Sequence, residues 1–427
     1  MDIEISPPLL TENRGKTLAI VVGGGPAPGI NGVIRAVTIE AIENGLTVLG
    51  VLEGFKWLAQ GDTTHIQKLN VDDVSRIHLQ GGSIIGTSRE APARDPGKME
   101  RTIRALRELE VDYLVSIGGD DTAFSASQVD KLTGREIEIA HVPKTIDNDL
   151  PLPSGIPTFG YQTARQVGVD LISNLMEDAK TTQRWYFVVA MGRSAGHLAL
   201  GMGKAAGATL TIIPEEFRDK KVPLTQMTRI LEGGIIKHRA AGRNYGVAII
   251  AEGAAESVDQ DGFSEIKDVE RDEHGHVRLA ELPFGKILKQ RVRQALADQG
   301  VKVTIVDKNI GYELRCASPT AMDMEYTQDL GSAAIRSLRG GNTGVLVCMR
   351  GADIMPLRLS ELLDPKTGRM RVRRVDVDSS AYALARRYML RLGSADFEGQ
   401  ALVELSKAAG LSPEKFKERY GEQARPW

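Results

Sequence analysis

Cysteine is scarce in this sequence: Cys316 and Cys348 are the only two in 427 residues. Two cysteines so far apart provide no disulfide framework and no Cys-x-x-Cys metal site, and such sparse use is typical of proteins in a reducing compartment. The first residues, 1–12, contain acids and prolines and lack the basic-then-apolar order of a signal peptide. We therefore predict a cytoplasmic protein.

Long apolar runs and a strong net charge are also absent. No apolar stretch approaches the ~20 residues that a membrane-spanning helix needs. The net charge is -2, so the chain has no bulk attraction to nucleic acid or to an anionic membrane. The length of 427 residues allows two or three domains, and with 42% hydrophobic and 26% charged residues the composition is that of a globular protein. The sequence therefore predicts neither a nucleic-acid nor a membrane partner.

The glycine-rich segment 23–29 lacks two common nucleotide-binding patterns. Its sequence, Gly-Gly-Gly-Pro-Ala-Pro-Gly, has no Gly-Lys-Ser/Thr and misses the Gly-x-Gly-x-x-Gly spacing. It follows a predicted strand, 17–22, and precedes a predicted helix, 30–43, so its backbone N–H groups and the helix N-terminus can cradle a phosphate. A tight turn that merely needs positive φ angles is the alternative interpretation.

Strand-like and helix-like runs alternate along most of the chain. This rhythm predicts an α/β fold with mostly parallel sheets and helices on both faces. Several polar or glycine-rich segments directly follow predicted strands, at 23–29, 118–122, 143–149, 191–193 and 252–253. Ligands bind outside the carboxyl ends of the strands in such sheets, so these segments form the predicted functional site.

Four aspartates in two of these segments carry most of the chemistry. Asp120 and Asp121 follow one predicted strand, and Asp147 and Asp149 follow the next one along the chain. An aspartate after a strand is often a helix N-cap, which explains one of them. Four carboxylates at adjacent strand ends repel one another unless a cation lies among them, and Lys144 and a magnesium ion can supply that charge. This inventory predicts phosphoryl transfer to an alcohol, with one carboxylate as the general base.

At these residues the sequence resembles the phosphofructokinase family, over roughly 17–349. The matching motifs are Gly24-Gly25-Pro26-Ala27-Pro28-Gly29-Ile30-Asn31, Gly86-Thr87-Ser88-Arg89, Gly118-Gly119-Asp120-Asp121-Thr122, Thr145-Ile146-Asp147-Asn148-Asp149, Met191-Gly192-Arg193 and Gly311-Tyr312-Glu313-Leu314-Arg315. Thr-Ile-Asp-Asn-Asp followed by Met-Gly-Arg is the specific part, since other kinases also carry a Gly-Gly-Asp loop. The resemblance implies two Rossmann-like, three-layer α/β domains with the active site in the cleft between them.

The resemblance also implies a role for each motif residue. Asp147 is expected to be the general base for the 1-hydroxyl of fructose 6-phosphate, with Asp149 near it, and Asp120 is expected to bind magnesium. The expected catalytic residues are Asp147, Asp149, Arg89 and Lys144; the donor-binding residues are Gly24, Gly25, Gly119, Asp121 and Lys144; and the sugar-binding residues are Thr145, Asp147, Met191, Gly192, Arg193, Glu252, Tyr312, Arg315 and Arg184. Arg184 is expected to come from a neighbouring subunit, which implies a homodimer or homotetramer.

Two positions favour pyrophosphate over ATP as the phosphoryl donor. ATP-using members of the family typically have glycine where this chain has Asp121 and Lys144, whereas pyrophosphate-using members resemble this chain. A carboxylate at Asp121 adds bulk and charge where the α-phosphate of a nucleotide would lie, and Lys144 can bind the compact pyrophosphate ion.

The expected reaction is a reversible, magnesium-dependent transfer from pyrophosphate to fructose 6-phosphate, giving fructose 1,6-bisphosphate and phosphate in glycolysis and gluconeogenesis. An ATP-dependent 6-phosphofructokinase is the first alternative. An inactive subunit that senses phosphosugars is the alternative from another class of protein.

Domain boundaries follow from the chain order of the family. It predicts a discontinuous first domain, residues 1–158 with a return near 318–360, and a second domain at 159–317. The polar segment 256–282 is predicted to be an insertion. The remaining residues, 361–427, are predicted to form a helical C-terminal extension.

Overall fold

Strands and helices alternate in the computed structural model as the sequence predicts. The model describes residues 15–193, 195–259 and 282–424, so most of the predicted 256–282 insertion lies outside the described residues. The strands of the described residues are β1 Thr17–Val22, β2 Thr47–Val51, β3 Ile66–Leu69, β4 Val111–Gly118, β5 Glu138–Pro143, β6 Trp185–Ala190, β7 Leu210–Ile212, β8 Gly246–Ala251, β9 Ile305–Ile310, β10 Val345–Arg350 and β11 Asp353–Arg358. The predicted α/β class is confirmed.

The α-helices connect and cover these strands. In the described residues they are α1 Ile30–Glu43, α2 Val71–Val74, α3 Pro96–Glu108, α4 Asp120–Thr133, α5 Tyr161–Thr182, α6 His197–Ala206, α7 Leu224–Ala240, α8 Phe284–Ala297, α9 Tyr312–Arg315, α10 Ala321–Arg339, α11 Ser380–Arg387, α12 Gly399–Ala409 and α13 Pro413–Tyr420. None of the helices described here combines the length and the apolar composition needed to cross a bilayer.

The chain divides into two units. The first comprises Met1–Ala164 and Tyr312–Arg373, and the second comprises Arg165–Gly311 and Arg374–Trp427. The sequence predicts a return of the chain near 318–360 and a separate extension at 361–427. In the structure the residues from Arg374 onward are part of the second unit.

A seven-stranded sheet of order β11-β10-β5-β4-β1-β2-β3 organises the first unit. The central strands β10, β5, β4, β1 and β2 are parallel, and the edge strands β3 and β11 are antiparallel to their neighbours. Alternate residues of β1 pack on opposite faces: Leu18 and Ile20 join α1 and α10 in one apolar cluster, and Ala19 and Val21 join α3 in another. Helices therefore cover both faces, which explains why β1 is apolar from Leu18 to Val22.

The second unit contains a four-stranded parallel sheet of order β7-β8-β6-β9. Its apolar core includes Trp185 and Phe187 of β6 together with Phe416 and Tyr420 of α13. The hydroxyl of Tyr420 also donates to the buried carboxylate of Glu232 on α7, at 2.8 Å. These contacts make the C-terminal helices part of the core of this unit.

Parallel pairing brings the carboxyl ends of neighbouring strands together. In the first unit β1, β4 and β5 are adjacent, so the segments 23–29, 118–122 and 143–149 follow strands at one edge of the sheet. In the second unit β6 and β8 are adjacent, so Met191–Arg193 and Glu252–Gly253 also start at one edge. The predicted site segments thus form one group in each unit.

The role of the C-terminal helices can be tested with Phe416→Ala. Phe416 is fully buried, so we expect this change to lower the free energy of unfolding of the second unit by about 3–5 kcal/mol. Val403→Ala on α12 is the matched control, because Val403 is 51% exposed and should change stability by less than about 0.5 kcal/mol. Urea unfolding would measure both. Equal effects of the two substitutions would contradict the inclusion of α13 in this core.

Candidate active site

The glycine-rich segment 23–29 is held to its neighbours by backbone hydrogen bonds. Gly23 N donates to Ile117 O at 2.9 Å, and Gly24 N donates to Ser88 O at 2.7 Å. Gly24 and Gly29 have φ angles of 83° and 97°, which side chains other than glycine rarely adopt. The segment is therefore a tight turn of positive φ, joined both to the end of β4 and to the residue that precedes Arg89.

Two cations lie directly against this turn. A Cβ atom added to Gly24 would lie 3.1 Å from Lys144 Nζ, and one added to Gly25 would lie 3.2 Å from the guanidinium carbon of Arg315. Both distances are tighter than ordinary van der Waals contacts, so a side chain at either position would push the cation back by a few tenths of an ångström. The tight-turn interpretation accounts for the positive φ angles of this segment, and it does not require cations beside the backbone. The approach of two cations is typical of an anion-binding site.

Lys144 is the buried cation of the first unit. It is only 3% exposed, and its Nζ donates to the carbonyl of Gly25. The pKa of the Lys144 ammonium is lowered to about 8: burial lowers it most, the charge of Arg315 also lowers it, and three carboxylates oppose the shift, namely Asp147, Asp120 and Asp149. The structure thus brings Lys144 into electrostatic contact with three of the four predicted aspartates.

Asp121, the fourth aspartate, forms an ion pair with Arg94. Arg94 Nη2 donates to both carboxylate oxygens of Asp121, at 2.8 and 2.7 Å. This hydrogen-bonded pair raises the pKa of Arg94. The two side chains are 57% and 37% exposed, so the pair contributes at most about 1 kcal/mol to stability. The sequence analysis missed Arg94, because nothing in a polar loop between two helices indicates which aspartate an arginine will contact.

The segment Thr145–Asp149 is held by short-range hydrogen bonds. Asp147 N donates to Thr145 Oγ1 at 3.0 Å, and Thr158 Oγ1 donates to Thr145 O at 2.7 Å. Asn148, between the two aspartates, has a left-handed φ of 56°. Asparagine tolerates this conformation better than most residues, so the Asp-Asn-Asp order suits the turn.

His141 of β5 supports the same edge of the sheet from inside the core. It is fully buried, its Nε2 lies 3.0 Å from Gly118 O, and its Nδ1 lies 2.8 Å from Ser116 Oγ. Burial lowers the pKa of His141 to about 3, so the ring is neutral at physiological pH. Its hydrogen bond to Gly118 holds the start of the Gly-Gly-Asp-Asp segment in place.

The second unit brings four of the predicted sugar-binding residues together. Glu252 Oε2 accepts a hydrogen bond from Gly192 N at 3.3 Å, and Gly253 N donates to Gly192 O at 3.0 Å. Gly192 has a φ of 144°, and a Cβ atom on Gly253 would lie 2.3 Å from Arg193 O. The segment that starts at Met191 and the segment that starts at Glu252 are therefore in backbone contact, which only glycine permits.

Arg193 is exposed and borders a cavity of ≈ 200 Å³. Three other basic residues, Lys220, Lys221 and Arg374, also line this cavity, together with Asp219. Arg374 donates to the carboxylate of Asp219. The sequence analysis did not connect these residues with Arg193, because they come from distant parts of the chain.

Tyr312 and Arg315 lie on the short helix α9 of the first unit. Tyr312 is 75% exposed, and the guanidinium of Arg315 lies over its ring, 4.9 Å from the ring centroid. The resemblance implies that both bind the sugar phosphate. Because the guanidinium of Arg315 also lies against Gly25, it is close to the predicted donor loop.

Arg184 directly precedes β6, whereas Met191 directly follows it. A strand of six residues is about 20 Å long, so the two residues lie at opposite ends of β6 in one chain. This placement is compatible with the expectation that Arg184 serves a neighbouring subunit, which remains a prediction. Arg89, the remaining predicted residue, is exposed.

Few side chains of the described residues are placed to ligate a metal ion. Within the described ranges no group of three or more His, Cys, Asp or Glu side chains is placed to hold a metal ion. Magnesium often binds through one or two carboxylates together with substrate phosphates and water. Asp120, exposed at the N-terminus of α4, fits a site of that kind.

Comparison with known proteins identifies the family. The profile of the phosphofructokinase family matches residues 17–338. A pyrophosphate–fructose 6-phosphate 1-phosphotransferase of Thermotoga maritima is 53% identical, over 94% of this chain and 97% of the relative. One of the same name from Naegleria fowleri is 46% identical, over 96% of this chain and 97% of the relative. The chain belongs to the phosphofructokinase family, as its motifs predict.

A solved structure shows the same fold. The pyrophosphate-dependent phosphofructokinase from Marinobacter aquaeolei matches with a TM-score of 0.66, covering 93% of this chain and 92% of that chain. Its sequence identity is 18%, so this likeness concerns the fold alone.

Proposed function

We propose that this protein catalyses reversible phosphoryl transfer from pyrophosphate to the 1-hydroxyl of fructose 6-phosphate, giving fructose 1,6-bisphosphate and phosphate. The observation that carries the proposal is the buried ammonium of Lys144, held against the glycine turn and among three carboxylates. The ammonium of a lysine at this position can bind a compact anion such as pyrophosphate. The names of the two relatives above support the same donor and acceptor.

Donor binding would rest on the glycine turn and its cations. The backbone N–H groups near Gly24 and Gly25 and the ammonium of Lys144 bind the phosphates, and Arg315 adds a second positive charge beside Gly25. Arg89 stabilises the charge of the transferring phosphoryl group. The placement of Arg315 against the turn supports a role at the donor in addition to the expected role at the sugar phosphate.

The transfer itself is a displacement at phosphorus. The 1-hydroxyl oxygen of the sugar forms a new bond to the terminal phosphorus of pyrophosphate, the bridging oxygen–phosphorus bond breaks, and phosphate leaves. Asp147 takes the proton of the hydroxyl, with Asp149 near it. Asp120 would hold magnesium, which when bound neutralises charge on the phosphates.

Residues of the second unit would hold the sugar. Met191, Gly192 and Arg193 position fructose 6-phosphate together with Thr145, and Glu252 accepts hydrogen bonds from the sugar hydroxyls. Glu252 is already oriented by its hydrogen bond from Gly192 N. We also propose a cytoplasmic homodimer or homotetramer in which Arg184 binds the sugar phosphate held by the neighbouring subunit.

Exclusion of ATP would depend on bulk more than on charge. Arg94 holds the carboxylate of Asp121 through both oxygens and compensates its charge. What Asp121 presents to a nucleotide is therefore an oriented side chain beside the glycine pair Gly118-Gly119. Lys144 also contributes to the exclusion of ATP, because its ammonium occupies the space against Gly24.

A donor assay tests the proposal. Purified enzyme with magnesium and fructose 6-phosphate should turn over with pyrophosphate and not with ATP. Turnover with ATP alone would favour the ATP-dependent alternative. Absence of turnover with either donor, together with retained binding of fructose 6-phosphate, would favour the sensing subunit. Sedoheptulose 7-phosphate as a second acceptor would show whether a longer sugar is also used.

The general base can be tested with Asp147→Asn. Loss of the carboxylate should lower kcat by about 10²- to 10⁴-fold, because the neutral amide of asparagine cannot accept the proton of the hydroxyl. Binding of fructose 6-phosphate, measured by calorimetry, should change little. Asp72→Asn, at an exposed position of the same unit, is the matched control and should leave kcat unchanged. Full activity of Asp147→Asn would remove this residue from its proposed role.

The charge of Lys144 predicts a pH dependence. With a pKa of about 8 in the free enzyme, Lys144 is protonated below this pH and neutral above it. We expect kcat/KM for pyrophosphate to fall as the pH rises through about 8, since kcat/KM reports the groups of the free enzyme.

Lys144→Arg is the control for this profile, because its guanidinium does not titrate in this range. The titration of pyrophosphate itself appears in both profiles, so the difference between the two profiles belongs to Lys144. An identical fall in wild type and Lys144→Arg would contradict the assignment.

A further inference from the structure

Arg373 makes an unusual number of contacts with the segment that follows β5. Its Nε donates to Asn148 O at 3.0 Å, its Nη1 donates to Ile156 O at 2.7 Å, and its Nη2 donates to Asn148 Oδ1. Its backbone N donates to Asp149 O at 2.7 Å. One residue, 225 positions away in the sequence from Asn148, thus binds the main chain of the two residues that follow Asp147.

The contacts with Asn148 hold a turn of left-handed backbone conformation. Asn148 has a left-handed φ of 56°, and its Oδ1 accepts from Thr158 N at 3.0 Å as well as from Arg373. With its carbonyl and its side chain both bound, Asn148 has little freedom to rotate. The directions of the flanking carboxylates, Asp147 and Asp149, depend on this turn.

Charge supports the same arrangement. Arg373 is partly buried, and Asp149 attracts its guanidinium. The planar fork of an arginine suits several carbonyl acceptors at once, whereas a lysine ammonium would reach fewer of them. Arg373 also lies beyond residues 17–338, the part of the chain that the family profile matches.

We propose that Arg373 is a positioning residue for phosphoryl transfer: it locks the Asp147-Asn148-Asp149 turn so that the general base is held toward the reacting hydroxyl. This inference rests on the proposed function. Arg373 acts through the main chain of the turn, so its loss should slow the chemical step and leave the binding of both substrates largely intact.

Arg371 provides a matched control. It lies two residues earlier and also donates to main-chain carbonyls, from Nε to Leu362 O at 3.3 Å and from Nη2 to Glu361 O at 2.6 Å. Those acceptors belong to a short 3₁₀ helix, 359–362, and not to the Asp147-Asn148-Asp149 turn. Arg371→Ala therefore removes the same kind of contact without touching the turn.

The experiment compares Arg373→Ala, Arg373→Lys and Arg371→Ala in steady-state kinetics with pyrophosphate and in thermal unfolding. We expect Arg373→Ala to lower kcat by about 10²-fold, as a misplaced catalytic group does, with each KM within about threefold of wild type. Arg373→Lys should be intermediate. Arg371→Ala should keep kcat within about twofold of wild type while losing a similar amount of thermal stability.

Free guanidinium ion, below its denaturing range, should restore part of kcat in Arg373→Ala and none in Asp147→Asn. A kcat of Arg373→Ala equal to wild type, or a loss matched by Arg371→Ala, would overturn the proposal. If Arg373→Ala does not fold, the kcat of Arg373→Lys is the test. A kcat of Arg373→Lys equal to that of wild type would also overturn the proposal. An inactive wild-type enzyme would instead refute the proposed function.

Discussion

A buried lysine among carboxylates is the constraint on which the candidate site depends. The ammonium of Lys144 has almost no access to water, and burial makes its charged form costly. Asp147, Asp120 and Asp149 offset part of that cost, and Lys144 in turn relieves the repulsion among them. The ammonium and the carboxylates thus lie close together in a small volume. A compact anion bound there can replace part of the water that the buried ammonium lacks.

Glycine determines how close these charges come to the backbone. At Gly24 and Gly25 a Cβ atom would crowd Lys144 and Arg315, and at Gly253 it would collide with the carbonyl of Arg193. The predicted site segments of each unit are therefore built in the same way. Parallel strands end side by side, and glycines at their ends let the following segments touch.

Support for the site comes from late in the chain. Arg373 binds the turn that contains Asp147, and the helices after Arg374 complete the core of the second unit through residues such as Phe416. These segments lie beyond the part of the chain that the family profile matches. The matched part of the chain thus contains the residues proposed to react, and later residues contact the turn between two of them and complete the second core.

Local patterns in the sequence were enough to predict the α/β class, the glycine turn and the position of Asp120, Asp147 and Lys144 after neighbouring strands. Strand periodicity and strand-end motifs are properties of short segments, and parallel pairing brings them together in any such fold. Only the tertiary structure decided that Arg94 pairs with Asp121, that Arg373 binds Asn148 and that α13 belongs to the second core. Those contacts join residues far apart in sequence, and the path of the intervening loops, which no local pattern specifies, determines which side chains meet.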